Sequence, residues 1–379
     1  MKKLFTLLLA SLTLLSNAQN RCGTEDYTRA LTKKYTDYAK EREKTNAQTK
    51  RWIKNHPNHN EKTIITIPVV VHVVWNTNSE NISDAQIFSQ IEVLNEDFRR
   101  TNIDSFMTPS VWKNIAADSE IEFCLAQTDA NGNNTTGITR TETAETSFSI
   151  NDDVKHTSTG GIDAWANDEY LNIWVCDLGS GLLGYATQPW GNNINDEDGV
   201  VIGYDCFGST GTAQPPYHKG RTATHEVGHW LNLDHLWGNN NCGNDGVPDT
   251  PKQKEDNYSC PAFPSISTCD NPQGNPTPNS PNGDMFMNYM DYTNDGCMNL
   301  FTNGQKDRMI TTLNTKRSNL LNHTLCEGGV SAITESINQR KELVKIVNVL
   351  GETISEKTTN TPFFYIYNDG TVDKKIIIE

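Results

Sequence analysis

One stretch constrains this chain more than any other: Thr224-His225-Glu226-Val227-Gly228-His229-Trp230-Leu231-Asn232-Leu233-Asp234-His235. In a helix, side chains four residues apart share a face, so His225 and His229 can aim both imidazoles at one metal ion. Glu226 stands beside them but off that face, which suits a general base acting on water better than a further ligand. His235 lies beyond the end of such a helix, so the chain must reverse to bring it back as a third ligand. Asn232 sits at that reversal; Gly adopts a left-handed backbone most easily, and Asn is the next most tolerant. Three neutral ligands and one open position describe a catalytic zinc site, whereas a structural one is closed by a fourth protein ligand. Ala223, Val227, Trp230 and Leu231 fall on a different face of the same helix, which is expected to begin near Arg221 and to bury that face in a core.

The rest of the chain supplies a scaffold. Ile64 to Trp75 is a β-branched run of the kind found in a buried strand, with His72 a core histidine. Ser83 to Gln86 reads as a capping box ahead of an amphipathic helix marked by Ile87, Ile91, Leu94 and Phe98. Strand-like pieces follow at 121–125, 170–175, 182–187 and 200–204. The expected class is α+β: a mixed twisted sheet with backing helices, the histidine helix, and a loop-rich C-terminal subdomain. From Gly238 to Asn299 the chain is rich in Pro, Asn, Asp and Gly, and Cys242, Cys260, Cys269 and Cys297 can staple it. Asp245, Asp249 and Asp256 carry oxygens of the kind calcium takes, and serve equally well as acidic turn residues. Thr302 to Gln305 reads as a second capping box, with Met309, Leu313 and Leu320 on the helix behind it.

The ends have a different character. Met1-Lys2-Lys3, an apolar run to Leu15 and then Ser16-Asn17-Ala18 read as a signal peptide, residues 1–18, too short to span a bilayer. No later segment is apolar enough to be transmembrane. The chain is thus expected to be secreted into an oxidising compartment, where its nine cysteines can pair. An odd count leaves at least one thiol unpaired, and Cys22 is the candidate; the partners of Cys124, Cys176, Cys206 and Cys326 stay open. A formal charge of −15 argues against nucleic-acid or anionic-membrane partners. Residues 19–60 read as a pro-segment, with Tyr27 to Lys50 a solvated helix offering little surface to a core. A catalytic domain of residues 61–326 follows. Past Glu327-Gly328-Gly329, strand-like Val344 to Gly351 and Phe363 to Tyr367 make residues 330–379 a small all-β domain.

Arg221 to Leu231 resembles the active-site helix of the pappalysin family of metzincin metallopeptidases. So does Asn288-Tyr289-Met290-Asp291-Tyr292, followed by Cys297 to Thr302. The resemblance implies a metzincin-like catalytic domain and a zinc endopeptidase acting on protein and peptide substrates. His225, His229 and His235 would bind zinc, Glu226 would be the general base, Met290 the methionine beneath the site, and Tyr292 an aid near the metal or the transition state. Asn232 departs from the metzincin glycine. The resemblance further implies structural calcium in the region of Asp249 and Thr250, and disulfides Cys242–Cys269 and Cys260–Cys297. Substrate would pair with an edge strand of Leu182, Leu183, Gly184, Tyr185 and Ala186. Arg21-Cys22-Gly23-Thr24 resembles a pro-segment motif whose cysteine can fill the open zinc position until the segment is removed. Many such enzymes favour a basic residue after the cleaved bond, read by an acid beyond Met290; Asp295 lies there, but Gly296 holds the place where the acid is expected. Finally, Val349-Leu350-Gly351 and Asn368-Asp369-Gly370 leading into Lys374-Lys375 resemble a type IX secretion sorting domain, which implies secretion machinery as a partner.

Overall fold

The β-branched run forms β1 (Ile65–Trp75), and it is long enough to carry two partners on one edge. In this computed structural model β2 (Ile121–Leu125) pairs with Ile65 to Val69, and β3 (Ile138–Glu142) with Val71 to Trp75. On its other edge lies β4 (Leu171–Cys176), followed by β6 (Val200–Gly203) and β5 (Gly184–Ala186). The order is β2-β1-β4-β6-β5 with β3 beside β1. All pairings are parallel except β5 with β6, so β5 is an antiparallel edge strand. Strands buried on both faces need no alternation, which is why β1 and β4 read as near-continuous apolar runs. The short, polar β3, Ile-Thr-Arg-Thr-Glu, gave the sequence reading no such signal.

Residues 21–57, 64–191, 196–238, 241–270, 276–278, 280–327, 343–348, 352–354, 362–367 and 372–375 are described by the structure. The signal run 1–18 and the tail motifs at 349–351 and 368–370 lie outside them. The chain divides into two units, Met1–Glu327 and Gly328–Glu379. In the second, β9 (Leu343–Asn348), β10 (Phe363–Tyr367) and β11 (Val372–Lys375) form an antiparallel sheet in the order β11-β10-β9. No described helix is long and apolar enough to cross a membrane.

Within the first unit, one sheet face packs on α3 (Asp84–Phe98) and α4 (Arg221–Trp230). Val69, Val71 and Ile173 meet Leu94, Phe98, Val227 and Trp230 there. The other face carries Val74, Trp174, Cys176, Tyr185 and Val201. His72 is buried between Thr139 Oγ1 and Asn172 Oδ1, and burial lowers its pKa to about 4, so it is a neutral core residue.

The solvated helix expected from Tyr27 to Lys50 is corrected by the structure. It is two helices, α1 (Thr24–Lys34) and α2 (Tyr38–Asn55), broken at Tyr35–Asp37, and both bury side chains. The inward stripe is Tyr27, Leu31, Tyr38, Arg42, Thr45 and Thr49. Tyr27, Arg42 and Thr49 in it are hydrogen-bonded through their side chains, and with so many polar members a search for apolar periodicity passes over it.

The two caps differ. Ser83 accepts from Gln86 N, but the Gln86 amide donates to the Tyr204 and Phe207 carbonyls, so only half a box forms. At α5 (Asn303–Thr315) both halves form, and the Asp249 carboxylate also accepts from Thr302 Oγ1 at 2.7 Å and Gly304 N at 2.9 Å. Disulfides join Cys242 to Cys269, Cys260 to Cys297 and Cys124 to Cys326, while Cys22, Cys176 and Cys206 are free and buried. The first of these closes on a short hairpin, β7 (Thr268–Asp270) with β8 (Pro276–Pro278). Thr302→Ala removes the α5 cap and should lower unfolding free energy in urea by about 1 kcal/mol; an unchanged midpoint would mean that the cap contributes nothing.

Candidate active site

α4 begins on Gly220 in a left-handed conformation and is buried along its whole length. Asn232, at φ 76°, reverses the chain, with Asn232 N donating to His229 O and Leu233 N to Gly228 O. That turn returns His235 to the face that carries His225 and His229. The three Nε2 atoms then lie 3.0 to 3.2 Å apart.

Each imidazole is fixed through its other nitrogen. His225 Nδ1 is 2.6 Å from Tyr289 O, His229 Nδ1 is 2.8 Å from Leu233 O, and His235 Nδ1 is 2.8 Å from Glu25 Oε1. These oxygens can only accept, so each Nδ1 carries the proton and each Nε2 lone pair faces its two neighbours. Burial, then repulsion between the rings, holds His225 far below its usual pKa, and burial and His235 do the same for His229. Converging neutral lone pairs repel one another and suit a cation. Cys22 Sγ completes the group: all four ligand atoms lie within 4.8 Å of one another. Burial and the Glu226 carboxylate favour a neutral Cys22 thiol, a preference that a dication among the imidazoles would reverse. The donor set fits tetrahedral zinc.

Glu226 is fully buried beside this group. Its Oε2 accepts from Thr24 Oγ1 at 2.8 Å, and its Oε1 has no hydrogen-bond partner. Burial raises its pKa to about 7, offset in part by the nearby Cys22, Thr24 and Arg21. Tyr292 Oη is 3.5 Å from the Cys22 carbonyl, and its ring packs edge-on against His235 and Trp237. Met290 is buried beneath α4, and a Cβ on Gly228 would come within 2.6 Å of its sulfur.

The N-terminal segment lies along β5. Leu183 N donates to Arg21 O and Gly23 N to Gly184 O, while Ala186 N donates to Thr24 Oγ1. Cys22 and Gly184 pair in parallel, and Leu182 lies against Gly23. Only glycine fits at 184, since a Cβ would press on Val201 O and the Glu226 side chain.

Other functional contacts carry no sequence signal, because their members are scattered along the chain. Asp97 accepts from Tyr289 Oη at 2.7 Å and Thr224 Oγ1 at 2.8 Å, tying the Met290 segment to α4. Arg221 donates to Asp104 and to the Asp295 carbonyl. Asp295 Oδ2 accepts from Lys219 N at 2.8 Å and Arg221 N at 3.3 Å, at the start of α4. Its Oδ1 meets buried Arg21 at 3.2 Å. Asp249 and Thr250 lie apart from this site: Asp249 caps α5, and Thr250 donates to Asp245 Oδ2 at 2.7 Å. Among the described residues, the Cys22–His225–His229–His235 group is the one cluster of three or more such side chains gathered as metal ligands. Gly228→Ala should push Met290 away, cost about 1–3 kcal/mol in thermal or chemical unfolding and weaken zinc retention against a chelator; wild-type values on both measures would contradict this packing.

The chain is similar to known proteins. The family model described as pregnancy-associated plasma protein-A matches residues 153–314. An extracellular metalloprotease of Colletotrichum graminicola is 32% identical over 254 residues, 65% of this chain and 75% of the relative. Mature mirolysin of Tannerella forsythia in complex with a cleaved peptide is 52% identical, with a TM-score of 0.63 over 68% of this chain and 96% of its own. A promirolysin mutant from the same organism is 46% identical, with a TM-score of 0.66 over 80% of this chain and 97% of its own. With a metzincin-like fold, three converging histidines and these relatives, the chain belongs to the pregnancy-associated plasma protein-A family of metallopeptidases, the pappalysins, and is a metalloendopeptidase.

Proposed function

We propose that the chain is a secreted zinc endopeptidase, made latent by its own N-terminal segment, with Glu226 as general base. The observation that carries this reading is the set of three Nε2 atoms fixed around one point with an unpartnered Glu226 oxygen beside it. His225, His229 and His235 would hold zinc, which would supply Lewis-acid polarisation of water and of the scissile carbonyl. Glu226 takes the proton from water and hands it to the leaving amine. The Tyr292 hydroxyl, placed at the Cys22 carbonyl, is positioned to donate to the developing oxyanion.

Latency follows from what Arg21 to Glu25 occupy. Cys22 takes the fourth ligand position, Thr24 engages the base, and Glu25 holds His235. The segment also uses the backbone groups of Leu183, Gly184 and Ala186 that an extended substrate needs. Removal of the segment frees all of these together.

The Arg21–Asp295 pair supports a preference for a basic residue after the scissile bond. Two amides at the start of α4 hold one Asp295 oxygen, leaving the other for a cation, and the Tyr217 ring lies 5.0 Å from the Arg21 guanidinium. Calcium in the loop after α4 belongs to the same reading. Its support is the gathering of oxygen groups in one loop, where Asp245, Asp249 and Thr250 stand close in sequence and Thr250 Oγ1 lies 2.7 Å from Asp245 Oδ2. Export through the N-terminal signal and type IX machinery rests on the sequence likeness of the two ends, and secretion also on the extracellular relatives.

Two measurements test this. Glu226→Ala should cut casein and peptide hydrolysis by about 10²–10⁴-fold while zinc content stays at one per chain; chelation should abolish wild-type activity, and added zinc restore it. Retained hydrolysis in Glu226→Ala would remove Glu226 from its role. Asp295→Asn should lower kcat/KM for a peptide with Arg after the cleaved bond at least about tenfold relative to one with Ala there; an unchanged ratio would put the basic preference elsewhere or nowhere.

A further inference from the structure

We propose that the catalytic unit carries a tyrosine-binding exosite, built from Asp152, Lys155 and Tyr185, which Tyr27 fills in the latent chain. After maturation it takes a tyrosine side chain of a peptide substrate. The proposal rests on the peptidase reading above and extends it to a second recognition point.

Tyr27 enters this socket from α1. Its hydroxyl donates to Asp152 Oδ1 at 2.7 Å and accepts from Lys155 Nζ at 3.1 Å. The Lys155 ammonium lies 4.5 Å from the centre of the Tyr27 ring and 5.0 Å from that of Tyr185, and the two rings are 4.9 Å apart. A phenol is read three ways at once: by a carboxylate that accepts, an ammonium that donates, and a cation against the ring. A phenylalanine would fill the same volume but forfeit both hydroxyl bonds, to Asp152 and from Lys155, which is the basis of discrimination.

The socket is independent of its present occupant. Lys155 Nζ is 2.9 Å from Asp152 Oδ1 and donates to the Glu197 carbonyl at 2.7 Å, so it stays in place when Tyr27 departs. Asp152 is held in a left-handed conformation, φ 67°, at the head of the short helical turn Asp153–Lys155. A buried lysine–aspartate pair is a poor way to gain stability, since desolvation offsets most of its attraction. Its chemistry is better explained by a ligand that completes it. The wall holds one more unused group, because Tyr185 Oη is buried with no hydrogen-bond partner.

Position links the socket to catalysis. Tyr185 stands in β5 between Gly184 and Ala186, whose backbone groups receive the segment that passes the metal site. Successive strand residues point to opposite faces, so a peptide paired with β5 runs beside the socket wall. The Arg21 pocket lies at the start of α4, on the other face of the sheet, so the two recognition points act separately.

The test uses the full chain after maturation and a set of fluorogenic peptides that share one cleavage sequence. A single tyrosine is moved through the flanking positions, each paired with its phenylalanine analogue. At one position tyrosine should lower KM about tenfold relative to phenylalanine, with kcat unchanged. That ratio should fall to near one in Asp152→Asn, a substitution that tolerates the left-handed backbone, and in Lys155→Met. Fluorescence polarisation of the labelled peptides on the matured protein, held inactive by a chelator, should show the same tenfold difference. A ratio within twofold at every position in the wild type, or a preference that survives both substitutions, would overturn the exosite. Loss of chelator-sensitive cleavage of all peptides alongside intact tyrosine-selective binding would overturn the peptidase reading and leave the exosite standing.

Discussion

Three imidazole nitrogens held within 3.2 Å of one another are the constraint on which the rest of this structure depends. Left free, the rings would turn apart or take up protons. They do neither, because burial keeps His225 and His229 neutral and each Nδ1 is tied to a different part of the chain. The Tyr289 carbonyl comes from the Met290 segment, the Leu233 carbonyl from the reversal, and the Glu25 carboxylate from the N-terminal segment. Asp97 secures the first of these by binding Tyr289 and Thr224 together. The sheet and α3 matter to function chiefly as the rigid wall that keeps Asp97 and α4 in register.

The N-terminal segment is the polar counterpart of that site. Arg21 answers Asp295, Thr24 answers Glu226, Glu25 answers His235, and Tyr27 answers Asp152. Arg42 reaches Asn232 Oδ1 at 2.7 Å, and Arg308 donates to the carbonyl of the same residue. Asparagine thus does more at the reversal than tolerate a left-handed backbone: unlike glycine, it offers a side chain for the segment to grip. An interface made this way is specific yet removable, because its polar groups can be rehydrated, whereas an apolar core exposed by the same cut would aggregate.

Legibility followed physical range. The histidine helix, its start at Arg221 and the turn at Asn232 were readable because each depends on residues within a few positions of one another. The β1 run was readable because burial on both faces leaves an unbroken apolar stretch. Resemblance, not spacing, supplied Met290, Tyr292 and the two loop disulfides. What stayed hidden acts across long separations or through polar chemistry: β3, with its rim composition; the α1 and α2 stripe of Tyr, Arg and Thr; the Asp97–Arg221–Asp104 network; and the Lys155 socket. Asp295 was noticed, but its setting was not readable, because the amides that orient its carboxylate come from residues 219 and 221, over seventy positions away.

The central claim is that this site binds zinc through three histidines and is shut by Cys22. Zinc-edge X-ray absorption on the latent and matured chain tests it most directly. The latent chain should show one sulfur at about 2.3 Å and three nitrogens at about 2.0–2.1 Å, and after the segment is removed the sulfur should give way to oxygen. A latent spectrum with only nitrogen and oxygen neighbours, or sulfur that persists after maturation, would contradict the account.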